Sequence, residues 1–141
     1  MRRQRQLPGA KGQSGLNESG DVVMFTQILL EHFRNPRNSG ELESATHRVE
    51  VTNPVCGDVL CLAARVENGR IVDVRFLCRG CTTAIACASW MTEQVMGKSL
   101  DEVRAVNTEV IAAGLGGLPE ETKHGAVLAA DAVKALLRKQ L

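Results

Sequence analysis

The sequence predicts a single α+β domain, a three-stranded antiparallel sheet with helices packed on one face. Two alternating apolar segments flank Asn68-Gly69, a pair that accepts the two positive φ angles of a type I′ turn, so they form a β-hairpin. Helical periodicity appears once before that hairpin and several times after it, which separates helices from strands along the chain. At 141 residues, with no internal repeat, the chain suits one core that folds without disulfides.

The elements follow in order. Residues 1–21 are polar and rich in Gly, Arg and Gln, with too few apolar groups to offset the entropy of ordering. They read as a disordered N-terminal extension ahead of a domain spanning 22–141. From Asp21 to Arg34, Phe25, Ile28, Leu29 and Phe33 recur at helical spacing, with Asp21 as N-cap and Asn35-Pro36 as the stop. His47, Val49 and Val51 alternate with polar residues and predict the first strand, ending before Asn53-Pro54. In the hairpin, Leu60, Leu62, Ala64 and Val66 share one face of their strand, as do Val72, Val74, Phe76 and Cys78 of the next. Parity therefore puts Cys78 on the apolar face and Cys61 on the other.

After Cys81, a helix capped by Thr82 or Thr83 runs to Gly97, with Ile85, Ala88, Met91 and Val95 as its buried stripe. Ser99 and Glu102 form a capping-box signature for a short helix, and Asn107 caps another that ends near Gly114. The last helix, Glu121 to Gln140, carries acids early and Lys134, Arg138 and Lys139 late, as the helix dipole prefers. His124 falls in its first turn.

Composition excludes several functions. A formal charge of +1, no tyrosine, one tryptophan and three phenylalanines give neither a general attraction to nucleic acid or anionic membrane nor a base-stacking platform. No apolar run reaches bilayer-spanning length, and the N-terminal arginines precede no hydrophobic stretch of a secretory signal, so a cytoplasmic protein is expected. In a reducing cytosol, five cysteines, an odd number, read as thiols or metal ligands.

Four of the five cysteines fall between Asn53 and Cys81. A bend at Gly57 can turn the Cys56 thiol and the Asp58 carboxylate toward one centre, while Cys81 stands just before a helix N-terminus, where the dipole favours the thiolate. With the His124 imidazole these supply two sulfurs, one oxygen and one nitrogen, a tetrahedral set for zinc or iron. Each residue also has a plain structural reading. Cys78 and Cys87 suit the core, Asp58 can bond its own backbone in a turn, and His124 can be a solvated residue of a first turn. Cys78-x-x-Cys81 matches a redox pair in form, but a hairpin strand precedes it where that motif has a parallel one.

These residues also carry a resemblance. HFRNPRNSGEL (32–42), NPVCGDVL (53–60), VENGRIVDVRF (66–76), RGCTTAIACASWMTEQVMGKSLDEV (79–103) and LPEETKHGAVLAADAVKALL (118–137) together resemble the NifU/IscU-like family of iron–sulfur cluster scaffold proteins. The resemblance runs from about Met24 to the C-terminus and implies the same α+β sandwich. It implies a scaffold rather than an enzyme: a protein that receives sulfur from a cysteine desulfurase, combines it with iron, holds a transient 2Fe–2S cluster and passes it to apo acceptor proteins. A frataxin-like protein is a further implied partner.

By motif match the site is Cys56, Asp58, Cys81 and His124. The family's third cysteine is Gly125 here. The alternatives that stay open are a zinc-bound sulfur-transfer partner of a desulfurase and a metal-free interaction protein.

Overall fold

The hairpin sets the architecture. Asn68 and Gly69 take φ angles of 55° and 73°, closing β4 (Val59–Glu67) onto β5 (Arg70–Arg79) through the expected two-residue turn. The computed structural model describes residues 13–16 and 22–139. β3 (His47–Thr52) pairs antiparallel with the other edge of β4, so the sheet order is β3-β4-β5. Val49, Leu62 and Phe76 lie side by side across the three strands, and Leu60, Leu62, Ala64, Val74 and Phe76 face the core.

One residue of the hairpin departs from strict alternation. The register shifts at Arg65/Val66, where Arg65 opposes Asp73 but Val66 opposes Ile71. This bulge inserts Val72 as an extra residue and reverses the parity beyond it. Ile71 is therefore the buried side chain, and Val72, expected on the core face, is only half-buried.

The helices stack on the face that Leu60 and Leu62 present. α2 (Thr82–Val95) lies over β5, and α5 (His124–Arg138) over β3 and β4. α1 (Gln27–Arg34) packs on α2. α3 (Leu100–Val103) carries the expected Ser99–Glu102 capping box, and α4 (Thr108–Gly114) starts at Asn107, whose Oδ1 accepts from the Val110 N–H at 2.9 Å. α2 is the central helix. Thr83, Ala84, Ala86, Cys87, Ala88, Ser89, Met91, Thr92 and Val95 are all buried, so it has no single stripe, and Ile85, expected within one, is half-buried. Its N-cap position is Cys81, not Thr82 or Thr83.

Other expectations are corrected at element ends. α1 begins at Gln27 because Thr26, not Asp21, caps it: the Thr26 hydroxyl accepts from Leu29 N–H at 3.0 Å and donates to the Leu115 carbonyl at 2.5 Å. Val22–Phe25 is instead a strand, β2, paired with β1 (Gln13–Leu16). Of the segment expected to lack order, Gln13–Leu16 thus belongs to a ribbon; 1–12 and 17–21 lie outside the described residues. Within α1, Leu29, Leu30 and His32 are buried while Ile28 and Phe33 face outward. α5 starts at His124, three residues later than expected, after a 3₁₀ turn over Glu120–Thr122.

Candidate metal centre

Three elements converge at the N-terminal end of α2. The first is the β3–β4 loop. The Asn53 side chain accepts from the Val55 N–H at 2.8 Å and the Cys56 N–H at 3.4 Å, and its backbone exchanges bonds with Asp58 and Gly57 at 2.8 and 2.7 Å. With Gly57 at φ 77°, this closed turn places Cys56 and Asp58 facing inward together.

The second element is the β5–α2 junction. A Cβ on Gly80 would stand 2.9 Å from Asp58 Cγ and 3.1 Å from Oδ2, so only glycine leaves room there for the carboxylate. Cys81 follows it directly. The third is the first turn of α5, which presents His124.

The ligand atoms of Cys56, Asp58 and His124 all lie within 4.8 Å of one another. No other group of three Cys, His, Asp or Glu side chains converges this way among the described residues. Cys81 lies outside that mutual triangle but adjoins it: its Sγ is 3.4 Å from His124 Nε2. His124 Nε2 is also 3.9 Å from Asp58 Oδ2.

Asp58 is buried, 8% exposed, and its Oδ2 has no hydrogen-bond partner. A buried polar oxygen without a hydrogen bond carries a cost of about 1–3 kcal/mol, and His124 Nε2 at 3.9 Å lies too far to remove it by hydrogen bonding. A cation bound there would remove it. Thiolate, carboxylate and imidazole donors in these numbers fit zinc or ferrous iron.

The Cys81 thiol does not start as a thiolate. Crowding by protein pushes the Cys81 thiol up, although the N–H groups of Ala84 and Thr83 at the helix start oppose this and the Asp58 carboxylate adds to it. The expected dipole-lowered pKa is thus reversed: desolvation and a neighbouring anion outweigh the helix terminus. Metal entering this site must displace protons, which makes its affinity rise with pH.

The remaining cysteines stay outside. Cys78 packs against the core from the end of β5, and burial first, then the Asp58 carboxylate, push its thiol up to about 12. Cys87 is fully buried in α2, and burial raises its thiol as well. Cys61 lies on the opposite sheet face, where its S–H donates to Glu50 Oε1 at 3.7 Å. Asn53 was legible as a turn residue but not as the anchor of the Cys56 loop, and the place of Gly80 beside Asp58 is set by the fold.

The chain has relatives among known proteins. The family model for the NifU-like N terminal domain matches residues 10–140. The iron-sulfur cluster assembly scaffold protein IscU 1 of Archaeoglobus fulgidus is 40% identical over 111 residues, covering 79% of this chain and 72% of its own length. The iron-sulfur cluster assembly scaffold protein IscU of Escherichia coli is 41% identical over 119 residues, covering 82% and 92%. Among solved structures, a nitrogen-fixing NifU-like protein (N-terminal) from Brucella abortus shares the fold with a TM-score of 0.66 at 22% identity, over 80% of this chain and 91% of that one.

Proposed function

Since the chain belongs to the NifU-like N-terminal domain family, we propose that it is an iron–sulfur cluster assembly scaffold whose cargo, iron and a transient 2Fe–2S cluster, is held by Cys56, Asp58, Cys81 and His124. The observation that carries this is the unpaired, buried Asp58 Oδ2 within reach of a thiol and an imidazole. A side chain kept for structure alone would be satisfied by the fold; this one is aimed at a ligand that brings positive charge.

The donor set suits a carrier. Only two of the four groups are sulfur, and the oxygen and nitrogen ligands are weaker partners for cluster iron, so the cargo is labile. Cys81 is exposed and Val55, beside Cys56, is 92% exposed, so the cargo sits at the surface where an acceptor can reach it. Sulfur then comes from a cysteine desulfurase, iron delivery involves a frataxin-like protein, and apo-proteins take the finished cluster, all in the cytoplasm. No helix among the described residues is long and apolar enough to cross a membrane. The chain's contribution is to hold and release, not to turn over a substrate.

Anaerobic reconstitution with ferrous iron, sulfide and reductant tests this directly. A visible sulfur-to-iron charge-transfer band is expected, and Cys81→Ala should abolish it; an unchanged spectrum in that variant rejects the site. One observation favours a second reading, a zinc-bound sulfur-transfer partner of a desulfurase. Ligand atoms within 4.8 Å of one another are spaced for a single ion. Metal analysis of freshly purified protein, with alkylation and mass spectrometry for a persulfide on Cys56 or Cys81, separates the two.

A further inference from the structure

Three cysteines lie outside the four-residue set, and the fold sorts them. Cys61 is on the sheet face away from the helices, and Cys87 is fully buried within α2. Cys78 differs from both. It is only half-buried, while its neighbours on the same sheet face, Leu60 and Phe76, are fully buried. Its thiol therefore stands at the edge of the core, where β4 and β5 meet the candidate metal centre.

The register places it more closely. Cys78 opposes Leu60 and Arg79 opposes Val59, so the next pair outward is Asp58 with Gly80, and all four of Asp58, Leu60, Cys78 and Gly80 belong to the helix-covered face. A Cβ on Gly80 would meet Asp58 Cγ at 2.9 Å, so the carboxylate leans over Gly80, and no side chain at position 80 separates it from Cys78. Residues two apart along a strand are about 6–7 Å from one another. Cys78 is thus one step along the strand from the unpaired Asp58 oxygen. The electrostatics agree, since after burial it is the Asp58 carboxylate and then Cys81 that push the Cys78 thiol up.

The donor count gives this thiol a use. The ligand atoms of Cys56, Asp58 and His124, within 4.8 Å of one another, suit a single ion. A 2Fe–2S core is larger, with two protein ligands on each iron, and it is held by thiolates before other donors. The four-residue set has only two sulfurs, because Gly125 stands where the family pattern has a cysteine. We propose that Cys78 is a reserve sulfur ligand: as the cargo grows from one iron to a 2Fe–2S core, its thiolate replaces the Asp58 carboxylate on one iron. The iron–oxygen bond breaks as the iron–sulfur bond forms, the thiol proton passes to the released carboxylate and on to water, and no electron is exchanged. The finished set is Cys56, Cys78, Cys81 and His124, and Asp58 serves the first ion.

This inference rests on the scaffold reading above, and the test keeps the two apart. The full chain is loaded anaerobically with ferrous iron, sulfide and reductant, and the cluster is followed by its visible charge-transfer bands and its rate of loss to an iron chelator. Cys81→Ala tests the scaffold reading: unchanged bands in that variant remove the premise. With the premise intact, Cys78→Ser should move the bands to shorter wavelength, as oxygen does in place of sulfur, and Cys78→Val should speed cluster loss about tenfold or more. Zinc affinity of the iron-free chain should stay within about threefold in both variants, because a single ion does not call on Cys78. A side chain that only supported the site would weaken zinc and cluster alike. If Cys78→Ser does not fold, Cys78→Val, which keeps an apolar group at the edge of the core, carries the test. Bands and chelator half-life matching those of the unmodified chain, or a parallel loss of zinc affinity, overturn the proposal.

Discussion

Helix α2 passes two polar clusters, one buried at its middle and one at its N-terminal end, and they differ in how completely they are satisfied. At the middle, Ser89 Oγ accepts from the Arg37 N–H at 2.9 Å and lies 2.7 Å from His32 Nδ1. Thr92 Oγ1 donates to the Ser89 carbonyl at 2.7 Å and accepts from Asn38 Nδ2 at 3.1 Å. The arrangement that satisfies Ser89 has its hydroxyl donating to Nδ1, leaving the His32 proton on Nε2, 3.6 Å from Glu93 Oε1. At the N-terminal end, by contrast, Asp58 Oδ2 faces a thiol and an imidazole with no partner. Each cluster holds a buried polar side chain beside a histidine, so composition does not tell them apart. Hydrogen-bond accounting does: the closed network fixes α1 to α2, and the open one leaves an acceptor free, as the proposed metal site requires.

The comparison breaks most visibly at Ser89. Ser89→Ala leaves the His32 Nδ1 and the Arg37 N–H unpaired in a buried setting, which should cost about 2–4 kcal/mol of unfolding free energy by urea titration. Zinc affinity of the folded protein should stay within twofold. A cost below about 0.5 kcal/mol would mean that the middle cluster is not the structural one.

Acid tests the same cluster. Burial first, and then the Arg37 charge, lower the His32 pKa to about 4, whereas the unfolded chain titrates near 6.5. The unfolded state therefore takes up the proton first as pH falls. The contribution of His32 to stability is complete above about pH 6.5 and is lost progressively down to about pH 4, amounting to about 2–3 kcal/mol. Chelator-treated protein should show this slope between pH 6.5 and 4, and His32→Gln should flatten it. An equal slope in both would assign the acid sensitivity elsewhere.

The parts of the fold that could be read from sequence were those fixed by short-range chemistry. The Asn68-Gly69 turn, the Ser99–Glu102 box and the Asn107 cap each depend on residues within four positions of one another, and each is found where the sequence places it. What was misread depends on partners distant in the chain. Thr26 outcompetes Asp21 as a cap because Leu115, 89 residues away, accepts its hydroxyl proton. His32 turns inward in place of Phe33 because Ser89, 57 residues away, satisfies it. Val72 leaves the core face because the bulge opposite Arg65/Val66 is a property of the pair of strands.

The site divides in the same way. Cys56, Asp58, Cys81 and His124 were legible as donors, and the convergence of Cys56, Asp58 and His124 follows from the fold. The space that Gly80 leaves for the Asp58 carboxylate, and the carboxylate oxygen left without a hydrogen bond, are properties of three-dimensional surroundings and carry no signal in the sequence.

The smallest expected effect is the one that sharpens the contrast furthest. Asp58→Asn keeps the shape of the side chain while removing its charge, and it replaces one oxygen by an amide that can donate toward neighbouring acceptors. In metal-free protein the unpaired buried anion is thereby relieved, so stability should be unchanged or raised by up to about 1 kcal/mol. Addition of zinc at about a hundredfold over its dissociation constant should stabilise the unmodified chain by about 2.7 kcal/mol. The variant should lose most of that gain at the same zinc concentration. Ser89→Ala and Asp58→Asn are thus expected to differ in sign in the metal-free state and to exchange roles when metal is present. If Asp58→Asn instead lowered metal-free stability by more than about 1 kcal/mol and kept its zinc response, Asp58 would belong with Ser89 as a structural residue, and the distinction between the two ends of α2 would fail.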